Sequence, residues 1–232
     1  MKLYYHPVST TSRPIMLFAA DNRVELEYQL VDIVAGEHVQ PAFASINPNQ
    51  AVPVLDDDGF RLTESSAILK YLADRVGSRA YPIDPRQRAR VNERMDWFNT
   101  GLSRELCYGF IYPQLFPNHQ RPDGHAQQQT LAWGRTNALR WLQVLDERWI
   151  GPYNDYVCGN QITIADYFGI ASVTLGEAAH IDFSAWPNIS RWIARMKDRP
   201  AWSVANDAFY TYLVKPYVNA SFESLSLQAR AA

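Results

Sequence analysis

The hydrophobic period of this 232-residue chain changes once, at a stretch over residues 76–85 that contains Gly77, Pro82 and Pro85. Before it, short segments alternate between the two-residue period of strands and the longer period of helices. They predict strands at residues 3–6, 28–31, 53–55 and 60–62, and helices at residues 14–20 and 65–74. Asp58-Gly59 is a typical hairpin turn between the last two strands. The order β-α-β, then β-β-α, predicts one small sheet covered by helices.

Beyond residue 85 every periodic segment is helical. Asp84-Pro85 is a typical helix start, because proline suits the first turn. The apolar positions that recur at steps of three or four are Val91, Met95, Phe98, Leu102 and Leu106, then Ala138, Leu142, Leu145 and Trp149. Thr163 and Asp166 match a capping box with Asp in place of the usual Glu or Gln, and we interpret them as a structural helix start rather than a catalytic pair. The second part is therefore predicted to be all-helical.

Composition excludes several classes of function. The chain has 22 basic and 24 acidic side chains, a net charge of −2, and therefore no basic surplus for nucleic acid or an anionic membrane. Cys107 and Cys158 lie far apart and outside any metal-ligand spacing, so we expect neither a metal site nor a disulfide framework. The N-terminal segment has no apolar core of signal-peptide length. We expect a cytoplasmic protein whose partners are small molecules or other proteins.

Four motifs lie in a characteristic order along the chain. They are Tyr4-Tyr5-His6-Pro7-Val8-Ser9, Val52-Pro53-Val54-Leu55, Thr63-Glu64-Ser65-Ser66-Ala67-Ile68-Leu69 and Ile162-Thr163-Ile164-Ala165-Asp166. Together with the all-helical second part, they resemble the cytosolic glutathione transferases, and most closely the theta-like, serine-type branch. The resemblance implies an α/β thioredoxin-like domain over residues 1–76 that binds glutathione. A linker over residues 77–85 and an all-α domain over residues 86–232 would follow, the latter supplying most of the second-substrate pocket.

The glutathione thiol needs a group that stabilises its anion, and Ser9 lies between the first strand and the first helix, where such a donor belongs. A thiol with a pKa of about 8.5 is only a few per cent ionised at neutral pH, and one hydrogen bond to the anion is of the size that changes this. By spacing alone, a loop or helix-cap role for Ser9 is favoured over a functional one. The resemblance assigns it the role of the activating serine. Tyr5 and Thr10 are the rival donors.

The rest of the tripeptide needs partners for its backbone and its γ-glutamyl end. The resemblance implies a cis bond at Val52-Pro53, with the backbone of Val52 paired to the cysteinyl unit of glutathione. A trans proline that opens a strand is the alternative, since few X-Pro bonds are cis. Glu64 and Ser65 stand at a strand-to-helix junction. An acid and a hydroxyl at a helix N-terminus suit the ammonium and the carboxylate of that end, and they also suit an ordinary helix cap.

The glycine carboxylate of glutathione is expected to contact His38 and Gln50. Here the chain departs from the family pattern, because Ala51 occupies a position where theta-like members usually carry a lysine. The mode of binding at this end is therefore open. A second departure is Thr11, which stands two residues after the serine where the pattern often has a proline.

The second-substrate pocket is expected to open late on the first helix of the helical domain. Arg104, Tyr108 and Tyr112 are its candidate residues; aromatic side chains there suit an apolar substrate and an ordinary core equally well. The resemblance implies a homodimer that conjugates glutathione, as co-substrate, to a small apolar electrophile by substitution or addition, including halide displacement. A detoxifying role and a dedicated catabolic step are equally open. Two alternatives remain: another glutathione-dependent enzyme on this fold (an isomerase, peroxidase or dehalogenase), or a non-catalytic scaffold.

Overall fold

The N-terminal part is a four-stranded mixed sheet, seen in a computed structural model that describes residues 1–225. The strands are β1 (Lys2–Tyr5), β2 (Glu27–Leu30), β3 (Val54–Asp57) and β4 (Phe60–Leu62), in the order β2-β1-β3-β4. Strand β1 is parallel to β2 and antiparallel to β3, and β3 is antiparallel to β4. At the centre of the register Leu3 pairs with Tyr28 and with Leu55, and both leucines are fully buried. This is the sheet of a thioredoxin-like domain, as predicted.

Helices α1 (Arg13–Asn22), α2 (Pro41–Ala44) and α3 (Ser65–Arg75) complete this part. The predicted hairpin turn is confirmed: Asp58 and Gly59 both have positive φ, at 51° and 91°, as a two-residue turn between twisted strands requires. The second strand begins and ends one residue earlier than predicted, and all four of its residues are exposed. Strand β2 therefore has no buried face, and it lies at the edge of the sheet.

The helical part begins where Asp84-Pro85 predicts, with the Asp84 carboxylate accepting a hydrogen bond from the Gln87 amide. The helices are α4 (Pro85–Trp97), a π-helical continuation at Phe98–Ile111, α5 (Tyr112–Leu115), α6 (Gly124–Val144) with a π-helical end at Leu145–Ile150, α7 (Ile164–Thr174), α8 (Pro187–Lys197) and α9 (Trp202–Phe209). The periodic apolar positions predicted for the first two long helices are buried, apart from Trp149, which is partly exposed.

Residues 226–232, the end of the predicted helical domain and of the tail, lie outside the described residues. Within residues 1–225, no helix combines the length and apolarity needed to cross a bilayer.

Arg13 ties the two parts together from the first turn of α1. Its guanidinium is buried, donates to Asn206 Oδ1 at 2.9 Å and to Thr174 Oγ1 at 2.8 Å, and stacks 3.7 Å from the Phe209 ring centroid. Burial lowers the pKa of Arg13 to about 10, so the group stays charged at neutral pH. One apolar core runs from the sheet through these helices. The loop that precedes α1 is thereby held rigidly against the helical part.

Helix α6 crosses the π-helical segment at two glycines. A Cβ atom built on Gly134 would lie 2.0 Å from the carbonyl oxygen of Gly109, which is backbone and cannot rotate away. The close approach positions the segment that carries Arg104 and Tyr108. The two backbones can be this near only because Gly134 has no side chain.

We predict that Gly134→Ala destabilises the protein by about 2–3 kcal/mol, because the overpacking cost exceeds the helix propensity gained. Gly124→Ala is the matched control, since it lies in the same helix with open space around its Cβ, and we expect it to be neutral or slightly stabilising. Urea unfolding followed by circular dichroism measures both. Equal free energies of unfolding for the two variants would contradict the close crossing.

Candidate functional site

A cleft of about 480 Å³ opens between the sheet and the helical part. Thr10 and Thr11 line it from the loop after β1, Val52 and Pro53 from the start of β3, and further residues from α3, the π-helical segment and α7. This volume is within the range of small-molecule sites. The predicted site residues that lie in the lining are Val52, Pro53, Glu64, Ser65, Arg104, Tyr108 and Tyr112. Taken over residues 1–225, the lining does not include Ser9, His38 or Gln50.

Ser9 lies directly behind the threonines of the lining, and its residue surface is only 9% exposed. The Ser12 amide, at the start of α1, donates to Ser9 Oγ at 3.2 Å. Ser9 Oγ is also 2.9 Å from Thr11 Oγ1. The hydroxyl is thus fixed at a helix N-terminus, where partial positive charge favours a nearby anion. Tyr5, the rival donor, instead packs its ring edge-on against Tyr28 at 5.1 Å.

The loop before β3 presents backbone groups to the cleft. The Val52-Pro53 bond is cis, and the Val52 carbonyl accepts a hydrogen bond from Thr11 Oγ1 at 3.0 Å. Asn47, which is buried, donates from Nδ2 to the Ala51 carbonyl at 2.6 Å and accepts from the Asn49 amide at 3.0 Å. Asn47 therefore holds the loop in shape. No motif in the sequence indicates this role, although Asn47 precedes Pro48 and Asn-Pro pairs favour turns.

The N-terminus of α3 closes one end of the cleft. Ser65 is buried, whereas Glu64 is exposed with a φ of 65°. A non-glycine residue at such a φ is costly, and residues of this kind cluster at functional sites. Glu64 makes no side-chain cap on α3, so its carboxylate is not used by the helix. An exposed acid beside the free amides of a helix start can bind an ammonium and a carboxylate together.

The predicted contacts for the glycine end are placed differently. Gln50 is exposed with a φ of 53°, and its backbone amide donates a hydrogen bond to the Asn47 backbone carbonyl. His38 lies in a short 3₁₀ turn, and its Nδ1 is buried without a hydrogen-bond partner among residues 1–225. Asn49 and Ala51 line the cleft itself. The side-chain amide of Asn49 is a polar group at this end that the sequence patterns do not indicate.

The helical wall carries the three residues predicted for a second substrate. Arg104 forms an ion pair with Glu105 at 2.7 Å and remains largely exposed. The rings of Tyr108 and Tyr112 pack edge-on at 4.7 Å, and the Tyr112 hydroxyl donates to Thr10 Oγ1 at 3.3 Å. Burial raises the pKa of both tyrosines, so they stay protonated and serve as donors.

Cys107 also reaches the cleft lining, beside Phe168 and Ser172 of α7. Burial raises the pKa of its thiol to about 12, and the thiol donates to the Ser172 carbonyl at 3.5 Å. A thiol with this pKa is un-ionised at neutral pH and a poor nucleophile. Cys107 and Cys158 are both free. We therefore do not expect Cys107 to act as a nucleophile in this cleft.

The fold and the cleft define a class of protein: a thioredoxin-like domain presents a backbone edge and a hydroxyl at a helix N-terminus, and a helical domain closes the other side. Residues 1–74 match the family Glutathione S-transferase, N-terminal domain, and residues 110–200 match Glutathione S-transferase, C-terminal domain. The chain belongs to the glutathione S-transferase family and is a glutathione transferase enzyme. Glutathione is the family's substrate.

Similar solved structures come from several classes of this family. A delta-class glutathione transferase from Nilaparvata lugens is 33% identical over 92% of this chain and 96% of that chain, with a TM-score of 0.76. A diazinon-metabolizing enzyme from the silkworm Bombyx mori is 31% identical over 90% of this chain and 97% of that chain, with a TM-score of 0.75. Human glutathione-S-transferase T1-1 is 30% identical over 90% of this chain and 86% of that chain, with a TM-score of 0.75.

Proposed function

We propose that the chain binds glutathione in the cleft, stabilises its sulfur as a thiolate through Ser9, and conjugates it to a small apolar electrophile. The observation that carries the proposal is the Ser9 hydroxyl, fixed at the start of α1 beside the Val52 edge. The thiol proton leaves to solvent. The sulfur then forms a bond to an electrophilic carbon, and either a leaving group such as halide departs with its electron pair or an added atom takes up a proton.

The tripeptide would lie along the backbone edge. Val52 pairs with the cysteinyl unit beside Pro53, and Glu64 and Ser65 take the ammonium and carboxylate of the γ-glutamyl end. His38 and Gln50, together with Asn49, are the candidates for the glycine carboxylate, since Ala51 supplies no cation.

The electrophile would sit against Tyr108, Tyr112 and Phe168. Apolar ring surface with few hydroxyl donors suits an aromatic or haloalkyl substrate. Arg104, at the mouth, would contact a departing anion. One of the similar solved structures is a diazinon-metabolizing glutathione S-transferase. Both detoxification and a catabolic role are compatible with this pocket.

The theta-like branch, a homodimer and a cytoplasmic location complete the proposal. A delta-class, an epsilon-class and a theta-class structure are 33%, 29% and 30% identical to this chain, so identity favours none of these classes. The serine-type motif supports a branch with Ser9 as the donor. The domain limits at residues 76 and 86 remain our prediction; they are supported by the end of α3 at Arg75 and the start of α4 at Pro85.

We predict that the purified protein is retained on immobilised glutathione, is released by free glutathione, and accelerates the reaction of glutathione with a chlorodinitrobenzene or an epoxide. Chloride release and product absorbance measure the rate. Retention without conjugation, but with reduction of an organic hydroperoxide, would replace conjugation by a peroxidase activity. Failure of both retention and reaction would overturn the glutathione site.

A further inference from the structure

The loop after β1 contains a chain of hydrogen bonds whose direction is fixed by counting hydrogens. Thr11 Oγ1 lies 3.0 Å from the Val52 carbonyl oxygen, which can only accept. Thr11 therefore donates its single hydroxyl hydrogen to that oxygen. The 2.9 Å contact between Ser9 Oγ and Thr11 Oγ1 must then be donated by Ser9. In the free protein, the hydrogen that a thiolate requires is therefore directed at Thr11.

We infer that Thr11 is a positioning residue that couples pairing of the glutathione backbone at Val52 to thiolate stabilisation by Ser9; the inference rests on the proposed function. When the cysteinyl N–H of glutathione donates to the Val52 carbonyl, the two lone pairs of that oxygen are shared and its bond from Thr11 weakens. Thr11 then turns its hydrogen to Ser9 Oγ, and the Ser9 hydrogen turns to the sulfur.

In the free state Ser9 Oγ accepts from the Ser12 amide and donates to Thr11. In the bound state Ser9 Oγ accepts from the Ser12 amide and from Thr11, and it donates to the thiolate, so every lone pair and hydrogen of this hydroxyl is used. A hydroxyl that accepts two hydrogen bonds is a stronger donor than one that accepts only one. Thr11 thus strengthens the Ser9 bond to sulfur without touching the sulfur itself.

The relay depends on a residue in which this chain departs from the family pattern. A proline at position 11 has no hydroxyl, so a chain with that residue cannot form the Ser9–Thr11–Val52 connection. The relay is therefore a property of this chain's own residues rather than of the fold.

The test is an ultraviolet titration of bound glutathione, which reports the pKa of its thiol, in Thr11→Val and Thr11→Ser. Thr11→Val keeps the shape and removes the hydroxyl, so we expect the pKa of the bound thiol to rise by about half a unit to one unit. Thr11→Ser should restore the wild-type value. The loss in kcat of Thr11→Val should be present below that pKa and disappear above it, which a merely structural role would not produce.

The double variant separates the relay from its alternatives. In a Ser9→Ala background, Thr11→Val should leave the pKa of the bound thiol unchanged, because Thr11 acts through Ser9. A further rise there would mean that Thr11 donates to sulfur directly and would overturn the relay. An unchanged pKa in Thr11→Val alone would overturn the relay and leave Ser9 activation intact, whereas no effect of Ser9→Ala would overturn the proposed function. Thr136→Val, whose exposed hydroxyl bonds within α6, is the matched control.

Discussion

Replacing Ser9 with alanine is expected to raise the pKa of the bound glutathione thiol by about one to two units. A hydrogen bond to a charged group contributes about 1.5–3 kcal/mol, and one pKa unit corresponds to 1.36 kcal/mol. Because the reactive species is the thiolate, and the pKa would return towards the free value of about 8.5, the conjugation rate at neutral pH should fall by about 8- to 25-fold. The rate should recover as the pH is raised through the new pKa. An ultraviolet titration of bound glutathione and a pH profile of kcat measure the two effects independently.

Three variants control this prediction. Ser45→Ala removes an exposed hydroxyl that bonds only to the Ala42 carbonyl, and it should leave both readouts unchanged. Tyr5→Phe removes the rival donor, and we expect no change because the Tyr5 ring packs on Tyr28. Thr10→Val removes the other rival, which accepts from Tyr112. If Tyr5→Phe or Thr10→Val raised the pKa of the thiol and Ser9→Ala did not, the assignment of Ser9 would be wrong.

The sequence predicts the fold well because the relevant forces act over short stretches of chain. Val91, Met95 and Phe98 repeat with the helical period and are all fully buried, and Asp58-Gly59 forms the turn that its residue types favour. The capping box at Thr163 is equally local, since its bonds span three residues. The limits of strand β2 were less predictable, because an exposed edge strand has no buried face to fix its register.

The site is less predictable because its contacts join distant parts of the chain. The motif makes Ser9 the candidate donor, but its connection to Val52 passes through Thr11, whose bond to the Val52 carbonyl spans 41 residues. Arg13 finds its partners at Thr174 and Asn206, more than 150 residues away. No periodicity encodes such pairs. The absence of the usual lysine at Ala51 shows what is missing at the glycine end, but only the structure places Asn49 in the lining there.

Asp166 joins three segments of the helical domain, and its loss is the largest change in stability that we predict. Its carboxylate accepts from the Thr163 amide at 2.8 Å, Thr163 Oγ1 at 3.0 Å, the Val157 amide at 2.9 Å and Trp192 Nε1 at 3.0 Å. The side chain is fully buried. Burial raises the pKa of Asp166 to about 6 against these four bonds, so the group is still ionised at neutral pH.

Replacing Asp166 with alanine is expected to lower the free energy of unfolding by about 3–5 kcal/mol, because it leaves several buried donors without an acceptor and opens a cavity. Asp84→Ala is the matched control: an exposed cap of α4 with one hydrogen bond, whose loss should cost about 1 kcal/mol. Urea unfolding by circular dichroism compares them. Because Trp192 belongs to α8, the loss should also change the near-ultraviolet spectrum of the folded variant. If Asp166→Ala costs no more than Asp84→Ala, the carboxylate caps α7 without joining it to α8, and the helical domain depends on apolar packing alone.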